Sequence, residues 1–529
     1  MSKKTARRRR KNFTQETLTQ DERFKYKLIA EGLGVGICAG LVVSLFRYAL
    51  SKAEYARNLY IETSSQNIIF AVFGILLLVF LAACIAIIIR KEPLSCGSGI
   101  PQVKGELRGE VNANWMQVII AKFLGGIMAL GAGLSLGREG PSIQLGAMVG
   151  KGFSRLNNRL RTEEKLLITC GSSAGLAAAF GAPVAGVVFA LEELHRNFSQ
   201  EVLLSTMAAA IAADSIGTYI FGLEPVFDLG TSVDAGMPLS RMWMVVILGV
   251  VMGAFGVFYN KTIEVAQDFF GKLKTPERKL AIPFAVIIAL AIFLPEALGS
   301  GHELIEKAGE GAFSLKVIFM FLVIKYIFSA MSFGTGAPGG IFLPLLVLGA
   351  LTGGLFTTFL SPIVGYEENY ISYFVILGMT GYFSAIVRAP ITGVILLSEM
   401  TGTFSNLLAL STVALVAYMT ADILGGEPIY DQLMERMLAG GKVRKPKKTN
   451  KVLLEGEVHF GAYMEGKALC EIELPAGCLV VAIQRDNKEI VPNGDTVLEA
   501  GDKLTFLCDE LIAASVQVEI DNKCKRISL

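Results

Sequence analysis

VIIAKFLGGIMALGAGLSLGREGP, residues 118–141, decides the fold. From Val118 to Leu136 it holds one lysine and no acid, close to the ~20 apolar residues a membrane span requires. It then runs into Gly137-Arg138-Glu139-Gly140-Pro141. An ionisable side chain at the edge of such a segment is costly and is read first as functional. Gly140 and Pro141 fit the start of a helix, where free amides and the positive dipole end attract anions. A glutamate placed there fills an anion site with its own carboxylate and vacates it when protonated, which is the behaviour of a gate.

Apolar runs of similar length recur on both sides: Gly32–Leu50, Ile68–Ile89, Leu203–Phe221, Val245–Tyr259, Ile282–Leu294, Ile341–Leu360 and Leu407–Leu424. Only 18% of the 529 residues are charged and 52% are hydrophobic, against about 25% charged in soluble domains. The chain is a polytopic membrane protein. Its formal net charge of +2 names no ionic partner. Charge placement says more, because MSKKTARRRRKNF opens the chain with a basic run and no acid. No cleavable signal follows directly, and the positive-inside rule puts this end in the cytoplasm. Lipid or nucleic-acid binding is the lesser reading of the same residues. None of the eight cysteines forms a CxxC pair, which argues against zinc and dithiol chemistry. The histidines, His195, His302 and His459, join no nucleophile–base set, so no catalytic residues, enzyme activity or cofactor are expected.

Glycine-rich breaks interrupt the membrane body at CGSGIP (Cys96–Pro101), GREGP, GTGAPGGIF (Gly334–Phe342) and GGEPIY (Gly425–Tyr430). Irregular backbone at membrane depth survives only where protein buries it or water lines it. Helices that begin and end midway are therefore expected, and paired breaks in two halves are the mark of inverted repeats around a midplane ion site. GREGPSIQLGA and GAPGGIFLPLLVLGA are the expected counterparts. The basic stretch KGFSRLNNRLRTEEK, residues 151–165, conflicts with the positive-inside rule if the preceding helix ends outside.

An anion crossing a membrane needs donors that bind it and release it; amides and hydroxyls at helix ends suit this better than a full cation. Ser98 offers a hydroxyl, Ile341 and Phe342 offer amides, and Tyr430 offers a phenol. Each has an ordinary alternative: Ser98 as an N-cap, Phe342 as a core aromatic, Tyr430 as an interfacial aromatic. Glu192 and Glu193, closing an apolar run, read unaided as a solvated helix end. VGYEE at 364–368 echoes part of a potassium filter but lacks its threonine and closing glycine.

In this order, GSGIP, GREGP, GGIFLP and GGEPIY, with GSSAGLAAAFGAPVAGVVFALEEL at 171–194, resemble the CLC family of chloride channels and chloride/proton antiporters over residues 31–436. The resemblance implies an all-α, inverted-repeat architecture with broken and re-entrant helices, assembled as a homodimer. It implies that Ser98, Tyr430 and the Ile341 and Phe342 amides coordinate the central chloride. Glu139 becomes the outer gate, with the Gly140 amide near it and Arg138 supporting the loop. It also makes Glu193 the residue that receives protons from the cytoplasm, so that Glu139 and Glu193 carry the proton transfer. Ser98 favours chloride, since nitrate-preferring relatives often have proline there. Lys104 departs from the pattern, standing where some exchangers carry an acid.

The expected segments are a basic N-terminus at 1–26, a transport domain at 27–436, a linker at 437–451 and a small β-rich α+β domain at 452–529. The last, through LCEIELPAGCLVVAIQRDNKEIVPNGDTVLEAGDKLTFLC (Leu469–Cys508), resembles the C-terminal subdomain of RCK/TrkA regulatory proteins. That resemblance implies dimerisation and a small cytoplasmic ligand such as a cyclic dinucleotide, with a purely stabilising tail as the alternative. The expected protein is a regulated chloride/proton antiporter of a bacterial inner membrane, both termini cytoplasmic, with no nucleic-acid partner. The alternatives are a proton-independent chloride channel, voltage- or ligand-gated, and a ligand sensor.

Overall fold

The computed structural model describes residues 3–64, 68–196, 199–227, 229, 238–364, 370–439, 451–475, 477–485, 488–509 and 513–524. The side chains of the basic N-terminal run, residues 440–450 of the expected linker and 365–368 of the filter-like VGYEE lie outside the described residues. Two compact units form, Met1–Arg444 and Lys445–Leu529.

The first unit is helical, and six of its described helices are long and apolar enough to cross a membrane. The segment Ile69–Lys91 is the most apolar of these and the least buried, as expected of a helix facing lipid. Local chemistry sets the boundaries. Asn114 and Ser199 accept the Gln117 and Val202 amides as N-caps, while proline opens Pro183–Phe189 and Pro390–Thr401. Glycines stand where helices touch: Gly146 and Gly150 meet Gly171 and Leu167, and Gly349 and Gly353 meet Gly378 and Phe374. Small residues let backbones approach closely inside a bilayer. The Gly349–Gly353 pair is thus spent inside the chain, where a β-carbon on Gly349 would come within 2.6 Å of the Gly378 carbonyl oxygen.

The two halves correspond in detail. Gly97-Ser98-Gly99 precedes helix Ile100–Arg108 in one, and Gly299-Ser300-Gly301 precedes helix His302–Gly309 in the other. Lys122 and Lys325, buried in helices Trp115–Gly131 and Leu315–Gly334, stand at the same spacing ahead of Gly137 and Gly340. Each ammonium donates to the carbonyl of its own GSG turn, Gly97 at 2.6 Å and Gly299 at 2.7 Å. Crossed carboxylates tie the halves together. Glu192 accepts from the Thr392 amide (2.8 Å) and hydroxyl (2.7 Å) at the start of helix Pro390–Thr401. Glu399, near that helix's end, accepts from the Ala185 (2.7 Å) and Val184 (3.1 Å) amides at the start of helix Pro183–Phe189.

The basic stretch 151–165 is not a free loop. Lys151 is buried against Glu106 (2.8 Å), Arg155 pairs with Glu164 and Arg159 with Glu31.

The second unit is a four-stranded antiparallel sheet, β1 (Lys451–Glu457), β2 (Leu479–Arg485), β3 (Lys488–Ile490) and β4 (Lys503–Asp509), in the order β1-β4-β2-β3. Its core gathers Val458, Ile483, Leu504 and Phe506 with Val516, Ile520 and Cys524 of helix Ala513–Cys524. The Gly501-Asp502 turn places the buried Asp502 carboxylate against Arg485, with two bonds of 2.7 Å, and against the Glu499 amide at 2.9 Å. Burial pushes the Asp502 carboxyl up, but the Arg485 hydrogen bonds, the Glu499 amide and the guanidinium charge outweigh it and hold it below the usual range.

Candidate functional site

Three of the four glycine breaks are bonded to one another. Gly137 and Gly340 exchange both backbone hydrogen bonds, each 2.7 Å. Gly97 donates to the Gly336 carbonyl (3.2 Å) and accepts from the Gly339 amide (3.0 Å). These contacts bring the starts of helices Glu139–Leu156 and Phe342–Val364 to the Ser98 turn. Gly140 allows the approach, since a β-carbon there would lie 2.6 Å from the Ser98 carbonyl oxygen.

Glu139 is the first residue of its helix and is wholly buried. Its carboxylate meets no side-chain donor, and the backbone amides of Glu139 itself and of Leu343 are the groups that reach it. A β-carbon on Gly137 would strike this carboxylate and would also lie 2.9 Å from the Leu343 amide nitrogen. The carboxylate therefore occupies the space in front of the helix that begins at Phe342, whose first amides have no partner within the helix. Phe342 is also the core aromatic of the alternative reading. Its ring packs against Phe180 and Phe383, with centroids 5.4 and 4.9 Å away, and Ile341 is buried beside it. Arg138 caps the Glu139 helix without a side-chain bond, and its Nε is buried without a partner.

Ser98 does not cap helix Ile100–Arg108; Gly99 holds that position with φ +97°. The buried Ser98 hydroxyl has no hydrogen-bond partner, and neither does that of Tyr430. Tyr430 is the second residue of helix Ile429–Ala439, in electrostatic reach of both Glu139 and Glu193. A buried polar group left unsatisfied costs ~1–3 kcal/mol. Two such hydroxyl donors near two helix starts are suited to an anion, which accepts and does not donate.

Glu193 lies on a π-helical turn, Ala190–His195, a distortion frequent at functional positions. The solvated-end reading fails for both acids of the pair, because Glu192 caps a helix and Glu193 is buried. Glu193 Oε1 accepts from Lys104 Nζ at 2.6 Å, and the same ammonium lies 2.7 Å from Asp431 Oδ1. Lys104 thus meets the acid opposite it directly. Sequence reasoning missed Asp431, Lys122 and Lys325. Lys122 carried a usable signal, being the one charge inside the apolar stretch that made Glu139 conspicuous. Asp431 carried only its place directly after Tyr430. Among the described residues, no three His, Cys, Asp or Glu side chains gather as metal ligands.

The family profile described as voltage gated chloride channel matches residues 80–422, and that of the TrkA-C domain matches 453–516. An H(+)/Cl(-) exchange transporter ClcA of Vibrio campbellii is 35% identical over 425 residues, covering 78% of this chain and 90% of the relative. The protein of that name from Vibrio cholerae serotype O1 (strain M66-2) is 35% identical over 435 residues, covering 79% and 92%. Among solved structures, a slow cyanobacterial Cl-/H+ antiporter superposes with a TM-score of 0.74 at 29% identity, covering 78% of this chain and 98% of that one. Bonded glycine breaks, crossed helix caps and these matches lead to one conclusion: the chain belongs to the CLC family of voltage-gated chloride channels and transporters, with a TrkA-C domain following the membrane unit.

Proposed function

We propose that the protein is a chloride/proton antiporter. Chloride is held by the Ser98 and Tyr430 hydroxyls and the Ile341 and Phe342 amides, with the Gly140 amide near an outer position. Glu139 competes for that space as a carboxylate and leaves it when protonated, with Arg138 steadying its loop. Glu193 supplies the proton from the cytoplasmic side. The observation that carries the reading is the Glu139 carboxylate, wholly buried and facing the Leu343 amide at the start of the helix beginning at Phe342. A second buried glutamate stands apart from it, with the Tyr430 phenol in electrostatic reach of both. The charged Glu139 carboxylate and a chloride exclude each other at the same helix start, and protonation of Glu139 frees the place for chloride, so the two fluxes are coupled. The names of the relatives support the same exchange. We place the protein in a bacterial inner membrane as a homodimer with cytoplasmic termini, its TrkA-C domain controlled by a small ligand such as a cyclic dinucleotide.

A second reading has one observation in its favour. The 2.6 Å Lys104–Glu193 ion pair stabilises the charged form of the proton acceptor, which favours a proton-independent chloride channel. Purified protein in liposomes, with a chloride gradient, no pH gradient and clamped voltage, separates the two. Uphill proton movement that vanishes in Glu193→Gln while chloride still moves is the antiporter's result. Chloride flux with no proton movement in the unaltered protein leaves the channel.

A further inference from the structure

Asp431 joins three elements at the inner glutamate. Its Oδ1 accepts from Lys104 Nζ (2.7 Å), on helix Ile100–Arg108, and from Arg108 Nη2 (2.9 Å) on the same helix. Its Oδ2 accepts from Arg196 Nη2 (2.5 Å), which ends the turn that bears Glu193. Lys104 therefore stands between two carboxylates, with its side chain 1% exposed. Asp431 itself is 18% exposed and holds two further cations.

Every charged neighbour matters to how readily Glu193 takes a proton. Helix Ile100–Arg108 brings Lys104 and Arg108, and helix Ile429–Ala439 brings Asp431 and Tyr430. On its own turn stand Arg196, 3.9 Å from Oε2, and His195, hydrogen-bonded to Thr169 at 3.2 Å. Helix Arg161–Phe180 adds Lys165 near His195, helix Gln200–Phe221 carries Glu201 in its first turn, and helix Pro183–Phe189 carries no charge. Were Glu193 the sole anion beside Lys104, each protonation would strand a buried ammonium, which is strongly unfavourable. Asp431 removes that obstacle, because Lys104 keeps one carboxylate throughout. Arg108 and Arg196 in turn keep Asp431 charged.

We propose that Asp431 is a positioning residue for proton transfer, which retains Lys104 while Glu193 is protonated. The proton arrives from cytoplasmic water, adds to the Glu193 carboxylate and departs toward Glu139. Lys104 exchanges no proton and only loses one of its two partners. The transport consequence rests on the antiporter reading, whereas the protonation of Glu193 does not.

The test is infrared difference spectroscopy of the full-length protein during pH titration, with the Glu193 carboxyl band assigned by its loss in Glu193→Gln. In Asp431→Asn the band titrates about 1 pH unit lower, a tenfold loss of proton affinity, and adding Lys104→Gln restores it. A tether without this role gives an unshifted band, or a shift that Lys104→Gln leaves in place, and either result overturns the proposal. Should Asp431→Asn not fold, Arg108→Gln, altered at an exposed site, frees Asp431 to draw Lys104 harder. Glu193 then titrates at higher pH, and an unmoved band again overturns the proposal. In liposomes Asp431→Asn lowers protons moved per chloride. Absence of proton movement in the unaltered protein defeats the antiporter reading, while the spectra still decide the role of Asp431.

Discussion

Gly137 and Gly340 lie in opposite halves of the membrane unit and exchange two backbone hydrogen bonds of 2.7 Å. This bridge fixes the distance between the helix that begins at Glu139 and the helix that begins at Phe342. Two positive helix ends are thereby held on one small space, a geometry that neither half forms alone.

Gly140→Ala puts a methyl group 2.6 Å from the Ser98 carbonyl oxygen, so the Ser98 turn must shift. We expect chloride affinity to fall about tenfold, equivalent to ~1.4 kcal/mol, with the helices intact. Calorimetric titration of chloride alongside circular dichroism checks this.

Tyr430→Phe and Ser98→Ala each delete one hydroxyl that has no protein partner. Had these hydroxyls only a packing role, the changes would be nearly neutral. A hydrogen bond to an anion contributes ~1.5–3 kcal/mol, so each variant should bind chloride ~10–100-fold more weakly. Equilibrium chloride binding to the purified variants decides between the two.

Glu139→Gln removes the carboxylate that is proposed to compete with chloride and to carry the proton. Proton flux in liposomes should drop to background while chloride flux persists. Retained proton movement would remove Glu139 from the transfer route.

Lys122 donates to the Ser95 (3.0 Å) and Gly97 (2.6 Å) carbonyls on either side of the Ser98 turn. Lys122→Met takes this donor from the Ser95 carbonyl, at ~1–3 kcal/mol, while the Gly97 carbonyl keeps the Gly339 amide. Lower thermal stability and weaker chloride binding should appear together. Lys325→Met, acting on the second turn through Gly299, should lower stability with less effect on chloride.

In the C-terminal unit, the Asp502 carboxyl lies below its usual range of ~3.9. A depressed folded value gives stability that is complete above the unfolded value and is lost as pH falls through the folded one. Hydrogen-exchange protection factors of residues 503–509 in the full-length protein, taken relative to the intrinsic rate at each pH, should therefore fall as pH drops below about 4. Asp502→Asn should bring similar loss of protection at neutral pH, since it removes the buried carboxylate that Arg485 grips with two 2.7 Å bonds.

The membrane spans, the breaks and the Glu139 helix start were legible because burial in lipid enforces long apolar runs and makes each interruption conspicuous. The pairing of GREGP with GGIF was legible as a pattern of glycine, small residue and apolar helix. The second GSG turn was not: Gly299-Ser300-Gly301 is followed by the charged run from His302 and Glu303, where Ser98 is followed by Gly99, Ile100 and Pro101. The roles of Glu192 and Asp431 were hidden for a different reason. Their partners, Thr392 and Lys104, lie 200 and 327 residues away in the chain. Adjacent acids in LEEL look equivalent in sequence, yet one caps a helix of the other half and the other meets a buried lysine.

The crossed carboxylates have a mechanical consequence. Swinging one half against the other would pull Glu192 from Thr392 and Glu399 from Ala185 at once, baring two helix starts and two acids together. Wholesale rocking of the halves therefore carries a steep penalty in this protein. A frame held in this way suits the gate proposed above, in which one carboxylate moves while the helices around it keep their places.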